Sequence, residues 1–97
     1  MDKQVIIGRV LRTPEVRTAI DGKTMRTIPV LQIELHVDGQ EQPVCIEQEF
    51  PFCELEGAYA ASRRYRPGRL LQIDANPNHM QLTYRKVAHI HLLDKTS

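Results

Sequence analysis

The chain has no tryptophan, and phenylalanine and tyrosine together supply only 5% of its 97 residues. Any contact that needs a flat ring rests on Phe50, Phe52, Tyr59, Tyr65 or Tyr84. There are two cysteines, Cys45 and Cys53, with no CxxC pair, so neither a zinc site nor a disulfide framework is indicated. No apolar run approaches the roughly 18 residues of a membrane-spanning helix. Near the N-terminus, Val5 to Ile7 are the only consecutive apolar residues before Gly8, too short for a secretory leader. The expected compartment is the cytoplasm, with no membrane partner. Lysine and arginine are missing altogether from residues 27–62.

What is present is an ordinary globular mixture, 41% hydrophobic and 26% charged. It is enough for one core, so a single domain over 1–97 is expected. Net charge is only +1, but its distribution is uneven. Lys3, Arg9, Arg12, Arg17, Lys23 and Arg26 outnumber Asp2, Glu15 and Asp21 in the first part. The middle carries Glu34, Asp38, Glu41, Glu47, Glu49, Glu54 and Glu56 unopposed. Arg63, Arg64, Arg66, Arg69, Arg85, Lys86 and Lys95 dominate the rest. Either the fold segregates a basic face from an acidic one, or the charges solvate the whole surface; counting leaves both open.

Hydrophobic spacing predicts strands and one helix. Val5 to Leu11 is rich in β-branched residues and interrupted by Gly8, where the first strand is expected to coil sharply. Thr13-Pro14 punctuates it and Val16 to Ile20 resumes it. Asp21-Gly22 signals a turn. Within Met25 to Val37, Leu31, Ile33, Leu35 and Val37 alternate with Gln32, Glu34 and His36. Asp38-Gly39 predicts a tight hairpin into Glu41 to Phe50, with Val44, Ile46, Gln48 and Phe50 on one face and Cys45, Glu47 and Glu49 on the other. Leu55, Ala58, Tyr59 and Ser62 share helical spacing, which predicts a helix near residues 53–65, stopped at Arg66-Pro67-Gly68. Arg69 to Ala75 is a short strand, Asn76-Pro77-Asn78 a turn, and Met80 to Leu93 the last strand. Three strands, a helix and two strands is the order of an all-β, five-stranded oligonucleotide/oligosaccharide-binding (OB) Greek-key barrel, its helix between strands three and four.

The run from Val5 to Arg17, with Gly8, Arg12, Pro14, Glu15, Val16 and Arg17, resembles the opening strand of bacterial single-stranded DNA-binding proteins. In that family a hydrophobic run and a Gly lead to Arg-Asp-Pro-Glu-Val-Arg. Val30 to Leu35 resembles its second strand, and Tyr65-Arg66-Pro67-Gly68-Arg69 the turn after its helix. The small size also resembles primosomal replication protein N (PriB), a dimeric relative active in replication restart. The resemblance implies an OB barrel that binds single-stranded DNA without catalysis, as a homodimer among replication or primosome proteins.

Arg12, Arg17, Lys23 and Arg26 lie on the first strand and its turn. Arg69, Arg85 and Lys86 lie on the last two strands, neighbours of the first in such a barrel. Together they make a candidate track for a phosphate backbone; ordinary solubilising charge is the plain alternative. Tyr84, beside Arg85 and Lys86, is the candidate for base stacking, against a ring packed on a neighbouring strand. Phe50 shares parity with core residues; Phe52, past Pro51, has no assignment. His79, His89 and His91 form a weak metal candidate, and Cys45 is expected to be an unreactive thiol because acidic neighbours Glu47 and Glu49 raise its pKa. No cofactor, metal or catalytic set is indicated. The first reading is therefore a non-catalytic single-stranded DNA binder of replication or its restart. The alternatives are an OB-fold adaptor docking proteins through its acidic hairpin and helix, and a binder of RNA or another ligand.

Overall fold

The computed structural model describes residues 4–80 and 85–93, with side chains followed over 5–74 and 90–93. Alternation in the later half of Thr27–His36 (β3) buries Leu31, Ile33 and Leu35 completely and leaves Gln32 and Glu34 partly exposed. The backbone groups of a strand this buried need a partner on each edge. On one edge β3 pairs antiparallel with Val44–Glu49 (β4), from Val30↔Glu49 to Leu35↔Val44. On the other lies the first strand, in two pieces, Gln4–Val10 (β1) and Glu15–Ile20 (β2). Leu70–Met80 (β5) pairs antiparallel with β1 and with Arg85–Leu92 (β6), and β6 returns parallel to β4. The order β1-β5-β6-β4-β3, with β1 also pairing β3, closes a ring, and β2 extends the first strand along β3. This is the OB barrel, with the helix Leu55–Arg64 (α1) between its third and fourth strands.

Gly8 stands where the first strand changes partner. Through Gly8↔Leu71 and Arg9↔Leu70 it follows β5; at Arg9↔His36 and Val10↔Leu35 it has reached β3. A Cβ on Gly8 would lie 2.8 Å from the His36 carbonyl oxygen and 3.1 Å from Leu35 Cβ. The missing side chain lets the two backbones meet, as expected at a sharp coil. Beyond it the first strand bulges. Val10 pairs with Leu35 and Glu15 with Gln32, so five steps on one strand span three on the other. Pro14 lies in this bulge, where its missing N–H costs no ladder bond.

Ile6, Val10, Leu31, Ile33, Leu35, Val44, Ile46, Leu71 and Ile73 fill the barrel, and Ala61 of α1 and Tyr65 just past its end join them. The helix buries Ala58, Ala61 and Ser62 and packs on β3 and β2. Its charges suit its dipole, with Glu56 in the first turn and Arg63 and Arg64 in the last. Gln48 sits on the apolar parity of β4, and its side-chain carbonyl oxygen is buried without a hydrogen-bond partner among the described residues.

Two expectations are corrected. Asn76-Pro77-Asn78 is not a turn: β5 runs through it to Met80. The residue before a proline is biased toward extended backbone, and the β5–β6 register shifts between Asp74/Ala75 and Ala75/Met80, so an irregular ladder tolerates the missing donor. The β3–β4 connection is also longer than a tight hairpin. Gly39 does turn, at φ 85°, but pairing begins only at Leu35↔Val44, because Pro43 has no N–H to extend the ladder.

Candidate nucleic-acid interface

The outer surface of β2, β3 and β4 is built by register. Glu15 lies opposite Gln32, and Gln32 opposite Glu47, so polar side chains form rows across the strands. Gln32 Nε2 donates to Glu47 Oε2 at 3.0 Å. Arg17 donates through Nη2 and Nε to Glu15 Oε2 at 2.8 and 3.2 Å. The bulge holds Arg12 over the same surface, where its Nε meets Glu34 Oε1 at 2.9 Å. Arg12, Arg17, Glu15, Gln32 and Glu34 line one small hollow of about 70 Å³. The acidic middle of the chain and its basic start therefore share a face, and the segregation of charge considered from sequence is absent here.

The other expected residues fall in different places. Lys23 is exposed in the β2–β3 turn, its backbone N–H donating to Asp21 Oδ1 at 3.1 Å. Arg26 leaves that turn toward Phe52, its guanidinium 4.8 Å from the ring centroid. Arg69 lies across the barrel beside β1, where its carbonyl accepts from Val10 N–H at 2.9 Å. Arg85 and Lys86 stand at the register positions of Ile46 and Glu47; their side chains lie outside the described set, as do those of His79 and His89, and Tyr84 lies outside the described residues. Arg12 and Arg17 are thus brought together, and Arg26 is brought to an aromatic ring.

Sequence reasoning left Phe52 unassigned. It is 51% exposed and, with Arg26, Ile28, Phe50, Asp21 and Glu49, lines a groove of about 590 Å³. The placement follows from pairing. Phe50 N–H donates to the Pro29 carbonyl at 2.9 Å, extending the β3–β4 ladder past its end. Two residues further, Phe52 comes level with the start of β3, beside Arg26. The backbone at the groove's lip is strained: Met25, 75% exposed, holds φ at 59°, a region most side chains avoid.

Other candidates resolve into structure. Burial, and then the charge of Glu34, raises the Cys45 pKa above its ordinary value. The direction is the one expected, but burial leads, and the carboxylate is the register partner Glu34 rather than Glu47 or Glu49. The thiol is the dominant form at neutral pH. His91 Nε2 lies 3.3 Å from Asp74 Oδ2. Among the described residues no group of three His, Cys, Asp or Glu is placed to hold a metal ion.

No family model matches the chain, and no curated protein matches it in sequence. Its fold is similar to the crystal structure of the mitochondrial single-stranded DNA binding protein Rim1 from S. cerevisiae. The TM-score is 0.52 at 21% identity, and the match covers 100% of both chains. At that identity the likeness speaks for the shared OB barrel.

Proposed function

We propose that the protein is a non-catalytic, single-stranded DNA-binding OB protein. The observation that carries this reading is the pairing of Arg26 with exposed Phe52 at an open groove of a barrel of this fold. An exposed ring stacks on any base, and a guanidinium beside it serves the backbone. Arg12, Arg17 and Lys23 extend the contact along the first strand, and Arg69, Tyr84, Arg85 and Lys86 along the last two. The single domain acts in the cytoplasm, in DNA replication or its restart, as a short PriB-like member of the single-stranded DNA-binding class. It works as a homodimer with replication or primosome proteins as partners. Half-exposed Val5 and Ile7, side by side on the outer parity of β1, support a subunit contact.

Fluorescence anisotropy with labelled oligothymidylate tests the reading. Binding is expected at low salt, weakening log-linearly as salt rises. Absence of binding at low salt overturns it. One observation favours a second reading, a protein adaptor: Arg12 and Arg17 are already held by Glu34 and Glu15, which leaves less positive charge on that face for DNA.

A further inference from the structure

Cations already paired with internal carboxylates release few counterions when a polyanion arrives. Arg12 and Arg17 are so paired, and Arg26 rests on a ring. The end of α1 is different. Arg63, Arg64 and Arg66 are exposed, and their side chains make no hydrogen bond or ion pair among the described residues. Arg64 has only the Tyr65 ring, 5.8 Å away. No aspartate or glutamate occurs between Glu56 and Asp74. The helix dipole accounts for Arg63 and Arg64 in the last turn. It does not account for Arg66, which follows the helix, and none of the three caps a helix carbonyl: Tyr65 N–H does, on Ala61.

This arginine end abuts the candidate interface. Ser62 Oγ donates to the Pro14 carbonyl at 2.8 Å, tying the last turn of α1 to the bulge that carries Arg12. Gly68 N–H donates to the Val10 carbonyl at 2.7 Å. At its other end the helix begins just after Phe52. Ten residues at about 1.5 Å each make the helix about 15 Å long, within the reach of one bound strand of about 4–16 nucleotides. Half-exposed Tyr59 lies on the open side between.

We infer that the C-terminal end of α1 is a phosphate-binding site for the same single strand, formed by Arg63, Arg64 and Arg66, and that it supplies a large part of the salt dependence of binding. This rests on the single-stranded DNA reading above. Planar guanidinium groups match phosphate oxygens in pairs. Continuity with the groove and the bulge favours a polynucleotide over an acidic peptide.

The experiment measures affinity against salt for the full chain with labelled oligothymidylate of about 16 nucleotides. The R63A/R64A/R66A variant is expected to flatten the log–log salt slope by about 2, at about 0.7 per lost phosphate contact on a single strand. R63K/R64K/R66K keeps the charge and is expected to hold the slope near wild type, which separates lost contacts from misfolding. A triple alanine variant with wild-type affinity and slope overturns the inference while leaving the DNA reading intact. So does a triple variant that keeps DNA binding but loses binding of an oligoglutamate peptide, which would make this a protein-docking surface. A wild-type protein that binds no oligothymidylate at low salt removes both.

Discussion

Ser62 Oγ donates a hydrogen bond to the Pro14 carbonyl oxygen at 2.8 Å, joining residues 48 apart in the chain. The hydroxyl is buried on the inner side of α1, and the carbonyl belongs to the bulge of the first strand. A helix that packs on the barrel by apolar contact is thereby fixed in position. Replacing Ser62 with Ala leaves the Pro14 carbonyl without its partner. The expected loss is about 1–3 kcal/mol in urea denaturation, with the barrel's spectrum retained.

Gly8→Ala tests the closure of the barrel. The new methyl would meet the backbone oxygen of His36 at 2.8 Å, and a ladder oxygen cannot swing aside as a flexible side chain can. Overpacking of this kind costs about 1–3 kcal/mol. Thermal unfolding should show the loss, and faster hydrogen exchange at Leu11, whose N–H donates to the Glu34 carbonyl at 2.9 Å, should locate it at the β1–β3 junction.

Gln48→Met is expected to stabilise the protein. The side-chain oxygen is buried with no partner among the described residues, and methionine fills a similar volume without a polar group. Removing an unsatisfied acceptor should recover about 1 kcal/mol, read as a higher denaturation midpoint at unchanged slope. A fall in stability would reveal a bond to Gln48 made in solution.

Phe52→Ala should weaken oligothymidylate binding by about thirtyfold, the middle of the range for one lost stacking contact. The salt slope should not move, since a ring releases no counterions. Phe52→Trp should restore affinity and, in a chain with no other tryptophan, report binding by fluorescence quenching. Unchanged fluorescence and affinity in these variants would remove Phe52 from the interface.

The barrel was legible because its strands carry two-sided patterns. Leu31, Ile33 and Leu35 against Gln32 and Glu34 define both a strand and its buried face, and Gly8 marked the coil. What sequence could not show is what depends on register. Arg12 meets Glu34 because a two-residue excess in the bulge swings it over β3, and nothing local to Thr13-Pro14 states the size of that excess. Arg26 finds Phe52 because the β3–β4 ladder continues past its last strand residue. Asn76-Pro77-Asn78 misled for the opposite reason: strong local turn chemistry yielded to a bulged ladder that tertiary pairing holds open.

The first strand also sets the tempo of folding. Its partners on β5, from Gln4↔Ala75 to Arg9↔Leu70, lie roughly 60–70 residues away, a separation that puts the chain among slow, high-contact-order topologies. The β2–β3 and β3–β4 pairs are local and can form early, while β1 must wait for a neighbour near the other end of the chain. Until it arrives, one edge of β3 lacks its upper half and Leu35 and Val10 are wet. Refolding in milliseconds to seconds follows, with the β1–β5 seam as its last event.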